Sequence, residues 1–410
     1  MPTSLDRPRI RPVEVFPVEE EGRQMLLVHD PAGYAAGAMT ISEPGLYILS
    51  LCDGERGLDA IRTEFAKKFG QVLPLDQLES MVEQLEAARF LDSPGFAKYF
   101  DGLVTEYHDG LTRESGPVES FGADGEGLTA FLDDILEDAT RASATSSKRL
   151  AGLIAPHLDY PRGQPCYAAA YNTLRLTGPA ERFVILGTNH FGRATGPVAT
   201  RKDFQTPLGA TRTDRMFIER LAERAVGDLY VHEFDHRREH SVELQVLLLQ
   251  HLFGADAFEI VPILCHDPCG PNGTGSYDGE GIDLKVFADA LGELIREDDK
   301  STIVIAGADL SHVGARFGDE RELDDEFLAE IAAQDARALH QVHANNAESF
   351  ADIIRERDNT TRICSVGCMY ALMTALPTAT RGPLHYHPAA DPPNGSGVAC
   401  THGPVSEHGR

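Results

Sequence analysis

Beyond residue 148, short and almost continuous apolar runs alternate with amphipathic stretches of helical period. The runs are Leu150–Ala155, Phe183–Leu186, Phe258–Leu264 and Ile303–Ala306. Strands without polar alternation are typical of a sheet that is covered on both faces, and helices between them favour parallel strands. The sequence therefore predicts an α/β fold over residues 149–405, with a mainly parallel central sheet flanked by helices.

The preceding residues have a different pattern. Residues 12–32 predict a hairpin, and apolar residues then recur at helical spacing in three stretches that begin near Pro44, Leu58 and Leu75. We therefore expect a small domain over residues 1–100. Residues 101–148 are rich in Gly and Ser and predict a linker with one helix, Leu128–Ala142.

The small domain contains two stretches with the sequences LYILSLCDGERGLDAIRTEFAKKFG and LESMVEQLEAARFLDS. These resemble PqqD-like winged-helix domains, which grasp peptide substrates in peptide-modifying systems. The resemblance implies a winged-helix domain that presents a peptide. The alternative is a small structural or docking domain without a peptide ligand.

Charge and cysteine content restrict the partners and the compartment. The chain has 37 Lys and Arg against 64 Asp and Glu, a net charge of −27, so its field repels nucleic acid and anionic membranes. No apolar run approaches the length of about 18 residues needed to span a membrane. Seven cysteines in 410 residues fit reduced thiols better than a disulfide framework. We expect a cytoplasmic protein without nucleic-acid or membrane partners.

Histidines follow three of the four predicted strands. His157 comes directly after the first run, His190 after the second, and His312 shortly after the fourth, three residues beyond Asp309. In open α/β sheets, ligands bind beyond the carboxyl ends of the strands. These side chains are therefore expected at one edge of the sheet and indicate a site, with Asp159 and Asn189 as further candidates in its pocket.

Two other segments supply candidate residues. Glu239 and His240 precede an apolar helix that would anchor them at its N-terminal end. Cys364 and Cys368 lie four apart at the start of another apolar helix, where the helix dipole is expected to lower the pKa of a thiol. A thiolate there could be a metal ligand, a nucleophile or a redox group. Cys368 either faces the site or packs in the core.

Several ordered motifs in residues 149–405 resemble the Memo family, including the Memo-like protein B of AMMECR/radical-SAM gene systems. The motifs are IAPHLDY, FVILGTNHFG, DFQTPLGATRTD, EHSVELQ, IVPIL, GADLSHVG and DNTTRICSVG. The family is itself similar to class III extradiol dioxygenases. The resemblance implies an extradiol-dioxygenase-like fold and a metal held by His157, His190 and Cys364. It places Asp309, Glu239 and His240 near the metal, and His312 where the dioxygenases keep an acid–base histidine.

Two imidazoles and one anionic ligand leave open positions on a redox metal such as Fe(II). A thiolate is softer than the usual carboxylate, which favours iron, copper or zinc and disfavours ordinary ring cleavage of catechols. The leading hypothesis is a redox enzyme with mononuclear non-haem iron, whose N-terminal domain presents a small-molecule or peptide substrate, with radical-SAM and AMMECR-type protein partners. The alternatives are a non-catalytic metal-binding or peptide-binding scaffold and a metal-dependent hydrolase.

Overall fold

A computed structural model describes residues 5–20, 22–116, 125–137, 149–279, 281–391 and 395–407. The chain forms two compact units, Met1–Asp109 and Gly110–Arg410. The boundaries placed after residues 100 and 148 from the sequence stay a prediction. Residues 117–124 and 138–148 of the predicted linker lie outside the described residues.

The described residues of the first unit form a three-stranded antiparallel sheet in the order β1-β2-β3 and four helices. Its elements are β1 (Glu14–Glu20), β2 (Arg23–His29), β3 (Met39–Ile41), α1 (Glu43–Leu51), α2 (Leu58–Phe69), α3 (Leu75–Ala87) and α4 (Pro94–Asp109). Gly70 ends α2 with a left-handed φ of 66°. Ile61, Leu78 and Leu85 are fully buried between the helices. The predicted hairpin and first three helices are confirmed, whereas β3 and α4 were not predicted.

Within the described part of the second unit, twelve strands form one sheet with helices on both faces. Its strands are β4 (Thr112–Arg113), β5 (Leu150–Ala155), β6 (Arg182–Thr188), β7 (Val198–Ala199), β8 (Asp203–Thr206), β9 (Gly209–Thr213), β10 (Glu259–Cys265), β11 (Thr302–Gly307), β12 (Asp309–Val313), β13 (Thr380–Arg381), β14 (His385–Asp391) and β15 (Ser396–Ser406). Its α-helices are α5 (Gly125–Leu136), α6 (Tyr160–Thr177), α7 (Arg215–Ala225), α8 (His240–Phe253), α9 (Leu284–Glu297), α10 (Asp325–His343), α11 (Ala347–Arg355) and α12 (Val366–Ala375). Short 3₁₀ helices cover Glu233–Arg237 and Ala315–Phe317.

The predicted α/β fold is confirmed, but the sheet is mixed and not mainly parallel. Its centre, β5-β11-β6-β10, is parallel, and Ile305 lies between Leu153 and Ile185. On one side, β15 pairs antiparallel with β5, β12 and β14; on the other, β8 and β9 form a hairpin. The prediction was wrong at the edges because it depended on continuous apolar runs alone. Thr, His, Gly and Pro interrupt such a run in β15.

Two apolar layers hold the helices against the sheet. One packs α7, α9, α10, α11 and α12 against one face, with Phe287, Leu291 and Met369 buried. The other packs α5, α6 and α8 against the opposite face, and Leu128 and Leu132 of α5 are fully buried there. The described part of α5 therefore belongs to a core. Across the described residues, every helix is too short or too polar to cross a membrane.

Candidate metal centre

The carboxyl ends of the central parallel strands bring three donor side chains together. His157 follows β5 and His190 follows β6, while Cys364 lies just before α12. His157 Nε2 lies 3.2 Å from Cys364 Sγ, and one donor atom from each of the three residues lies within 4.8 Å of the others. The parallel strands bring His157 and His190 to the same edge of the sheet, and the start of α12 brings Cys364, 207 residues from His157, to that edge.

The chemistry and spacing of this donor set fit a first-row transition metal. Tetrahedral ligation at about 2.0–2.1 Å for nitrogen and about 2.3 Å for sulfur separates the two atoms by about 3.5 Å. The separation of 3.2 Å between His157 Nε2 and Cys364 Sγ is close to that value. Two imidazoles and a thiol are donors that iron, copper and zinc all accept.

Glu239 orients His190. This carboxylate is almost fully buried and accepts hydrogen bonds from the backbone N–H groups of Ser241, at 2.9 Å, and His190, at 3.0 Å. Its oxygens lie 3.1 Å from His190 Nδ1, so Nδ1–H donates to Glu239 and Nε2 is left for a metal. Burial opposes ionisation of Glu239, but His190 holds the pKa of Glu239 well below its usual range. Burial alone would lower the pKa of His190, yet the Glu239 carboxylate raises it well above its ordinary value.

His240 extends the donor cluster. Its Nδ1 lies 3.4 Å from Glu239 Oε1, and its ring stacks on His190 with the centroids 4.9 Å apart. His190, Glu239 and His240 also have donor atoms within 4.8 Å of one another. Burial lowers the pKa of His240, which keeps this ring neutral near pH 7.

Asp309 supports His157. Its Oδ1 accepts a hydrogen bond of 3.0 Å from the backbone N–H of His157, and its Oδ2 lies 3.6 Å from His157 Nε2. Burial raises the pKa of Asp309 to about 7. Burial also lowers the pKa of His157 well below its ordinary value, so the ring is neutral as a metal ligand must be. The ring lies against Gly307, where a Cβ would come within 2.8 Å of His157 Nδ1.

His312 in β12 has the features of a neutral base. Its Nδ1 lies 2.9 Å from the carbonyl oxygen of Leu310, which can only accept, so Nδ1 carries the hydrogen and Nε2 keeps a lone pair. Burial, together with the charge on His190, lowers the pKa of His312 to about 4. His312 therefore lies within electrostatic range of the donor cluster without belonging to either donor group.

The Cys364 thiol departs from the sequence-based expectation. Burial raises its pKa above the ordinary value, although His190 opposes that shift. The prediction that the helix dipole lowers this pKa was wrong for the metal-free protein, since the loss of hydration outweighs the dipole. A metal cation at the site would favour the thiolate form of Cys364 against this effect of burial.

The loop before Cys364 is bonded to the strand that carries His312. The backbone N–H of His312 donates to Thr361, at 2.7 Å, and Arg362 donates to the carbonyl of His312, at 2.9 Å. Asp358, Asn359 and Arg362 have left-handed φ values of 52°, 46° and 58°, an unusual cluster for residues other than glycine. Such strain is often stored at functional sites. The role of Arg362 was not predicted from the sequence, although this residue lies within the motif DNTTRICSVG.

The other pocket candidates predicted from the sequence belong to neither group of possible metal donors, and each has its own contacts. The two groups are His157, His190 and Cys364, and His190, Glu239 and His240. Asp159 caps α6 and pairs with Arg162, 2.6 Å away. Asn189 donates to Asp235, which also accepts three backbone hydrogen bonds from the loop after His190. Cys368 is fully buried, with its Sγ 3.6 Å from Thr188 Oγ1. The anchoring role of Asp235 was missed, since a single acidic residue in a polar stretch carries no distinctive signal.

Gly367 sets how closely Cys364 approaches the sheet. A Cβ at this position would lie 2.1 Å from the backbone oxygen of His266 and 3.1 Å from Cys265 Cβ. Gly367→Ala is therefore expected to displace the start of α12, lower the free energy of unfolding by about 1–3 kcal/mol and weaken metal binding. Denaturant unfolding and metal titration measure both effects. Gly102→Ala in α4, where a Cβ meets nothing within 4 Å, is the control and should leave metal affinity unchanged.

A family model described as Memo-like protein matches residues 119–391, which is more than half of the chain. The chain belongs to the Memo-like family. Its relatives include a MEMO1 family protein of Aquifex aeolicus (strain VF5), 24% identical over 359 residues that cover 87% of each chain. Another, from Methanopyrus kandleri, is 30% identical over 231 residues, which cover 55% of this chain and 71% of that protein. Because Gly110–Arg410 contains only 301 residues, the Aquifex match extends into the first unit.

Proposed function

We propose that this protein is a metal-dependent redox enzyme that uses one non-haem Fe(II) ion held by His157, His190 and Cys364. The observation that carries the proposal is the convergence of these three donors at the carboxyl ends of parallel strands. Two of the donors have a carboxylate support, Asp309 for His157 and Glu239 for His190. Iron bound by three protein ligands keeps open positions and would supply redox chemistry next to a bound substrate.

The chain's own residues supply proton transfer. His312 is neutral and its Nδ1 faces the Leu310 carbonyl, so its Nε2 would be the atom that takes a proton from a substrate hydroxyl or amine. Asp309, whose pKa is about 7, can hold or release a proton near neutral pH. Glu239 keeps the imidazole of His190 in place during this transfer, while Asp309 holds the backbone N–H of His157.

We further propose a small-molecule or peptide substrate, presented by the first unit if that unit works as a PqqD-like winged-helix domain. The three-stranded sheet with helices packed on it supports this assignment. Radical-SAM and AMMECR-type proteins are the proposed partners. A reducing compartment such as the cytoplasm is supported by the cysteines, all seven of which are free thiols.

Nitric oxide can test the open position, since it binds Fe(II) only where a coordination position is free. The Fe(II)-loaded protein, handled without oxygen, is expected to give a high-spin EPR signal under nitric oxide. His312→Ala should keep this signal, because His312 belongs to neither donor group. An iron-loaded wild-type protein without the signal would contradict the redox proposal. Stable zinc binding with hydrolysis of an ester or peptide would favour a metal-dependent hydrolase.

Metal affinity is expected to rise with pH. The pKa values of Cys364 and His190 are both raised, so metal binding must displace protons from both side chains. Near pH 7 the logarithm of the association constant should rise by up to about two per pH unit. Glu239→Gln removes the carboxylate that raises the pKa of His190, and the slope should fall toward about one. Zinc titrations with a competing chelator between pH 6 and pH 8 measure this slope. An affinity that does not depend on pH would contradict the ligand assignment.

A further inference from the structure

A short segment of the second unit, residues 112–116, contacts the N-terminal end of α8. We call it the strap. Its strand β4 pairs parallel with β8, with Arg113 opposite Phe204. Arg113 is fully buried, and its guanidinium donates through Nε to the carbonyl of His236 and through Nη2 to the carbonyl of Glu239, both at 2.9 Å. One side chain therefore joins the 3₁₀ helix Glu233–Arg237 to the cap of α8.

A buried ion pair fixes the guanidinium in this position. Arg113 Nη1 lies 2.6 Å from Glu243 Oε2, and both side chains are fully buried. Glu243 Oε1 accepts hydrogen bonds from Ser115 Oγ, at 3.0 Å, and the backbone N–H of Gly116, at 2.8 Å. Burying two charges costs desolvation free energy that apolar side chains of similar size would not, so stability alone does not account for the pair. The ion pair instead fixes the position of the Arg113 guanidinium, which binds the main-chain carbonyl of Glu239, the N-cap of α8.

The main chain held by Arg113 belongs to a residue of the metal centre. The carbonyl of Glu239 accepts from Arg113, while its carboxylate accepts from the N–H groups of His190 and Ser241 and faces His190 Nδ1. A shift of this backbone would carry the carboxylate away from His190. Arg113 also lies ahead of residues 119–391, which match the family model.

We propose that Arg113 is a positioning residue for the metal centre: by holding the main chain of Glu239, it sets the orientation of the His190 imidazole. This inference rests on the proposed function, because it assumes that His190 binds a metal. Without a metal, the hydrogen bonds from the N–H groups of His190 and Ser241 to Glu239 also depend on Arg113.

The test compares two variants of the full chain. Glu243→Gln still accepts from Ser115 and Gly116 and keeps both carbonyls as acceptors for Arg113, but it leaves the buried Arg113 charge without its partner, so wild type is measured beside it as a second reference. Arg113→Met/Glu243→Gln removes those bonds without leaving a buried charge unpaired. Arg113→Lys is a second test variant that keeps the charge beside Glu243 but cannot bond both carbonyls. It replaces the double variant if that protein does not fold, as judged by circular dichroism.

Two readouts are measured. In the metal-free protein, the amide hydrogens of His190 and Ser241 are expected to exchange about tenfold faster in the double variant than in Glu243→Gln, with the β5 amides unchanged. In the protein titrated with Co(II), the dissociation constant should rise about tenfold and the visible spectrum should shift, since that spectrum reports ligand geometry.

Unchanged amide exchange together with an unchanged Co(II) spectrum in the double variant would overturn the role of Arg113. If the wild-type protein binds no Co(II), the proposed function fails, and amide exchange at His190 and Ser241 still decides whether Arg113 positions Glu239. Faster exchange at these two amides, with a weaker and altered Co(II) complex, supports the inference.

Discussion

Cys364→Ser is expected to abolish tight metal binding and leave the fold intact. Structural zinc sites with four ligands bind with about 10–16 kcal/mol, or about 3 kcal/mol per ligand, so losing one ligand should weaken binding at least about a hundredfold. Serine replaces one sulfur atom at a loop end and removes little core burial, so circular dichroism and the unfolding temperature should change little. Competition titrations with zinc and Fe(II), the latter without oxygen, measure the affinity.

Two further variants make this result specific. His157→Ala should have the same effect, because its Nε2 lies beside Cys364 Sγ. Cys368→Ala is the matched control: this thiol is buried four residues further on, outside both donor groups, and metal affinity should be preserved. Full metal binding by both Cys364→Ser and His157→Ala would show that the ligands are other residues.

Asp309→Asn is expected to stabilise the metal-free protein while weakening metal binding. Burial raises the pKa of Asp309 from 3.8 to about 7 in the folded chain, so the folded state loses stability as pH rises from about 4 to about 7. At pH 8 this penalty is at most about 4 kcal/mol at 1.36 kcal/mol per pKa unit, and asparagine removes it. At pH 4 the two proteins should be about equally stable. Asparagine still accepts from the His157 N–H but lacks the charge, so metal affinity should fall about 10- to 100-fold.

Asp335 provides the control for this experiment. It is fully buried, accepts a hydrogen bond of 2.6 Å from Ser311 and has a pKa raised to about 6 by burial. Asp335→Asn should also raise stability at pH 8 but leave metal affinity unchanged, because Asp335 belongs to neither donor group. Urea unfolding at pH 4 and pH 8 measures the free energy of unfolding of each variant and of wild type. A stability difference between Asp309→Asn and wild type that does not grow with pH would contradict the buried-carboxylate account.

The α/β class and the meeting of His157 with His190 could be predicted because each depends on a local pattern. A continuous apolar run predicts a buried strand, and the residue that follows it must lie at the strand's carboxyl end. Two parallel strands then bring their histidines to one edge without further information. Cys364 arrives from a helix far along the chain, and only the family resemblance assigned it to the site.

The resemblance placed Glu239 and Asp309 near the metal, but the contacts that they make could not be predicted, because those contacts join residues that are distant in sequence and ordinary in composition. Glu239 pairs with His190 across 49 residues, and Arg113 reaches Glu239 across 126. The raised pKa of the Cys364 thiol is likewise a property of burial, which the helix position does not reveal. The antiparallel edges were missed because β15 is buried by its neighbours and not marked by an apolar run.

The most direct test of the central claim is the metal content of protein purified without oxygen, measured by mass spectrometry for wild type beside Cys364→Ser. The account predicts close to one iron per chain in the wild-type protein and a marked loss of iron in the variant. Zinc in place of iron, or equal metal content in both proteins, would contradict it.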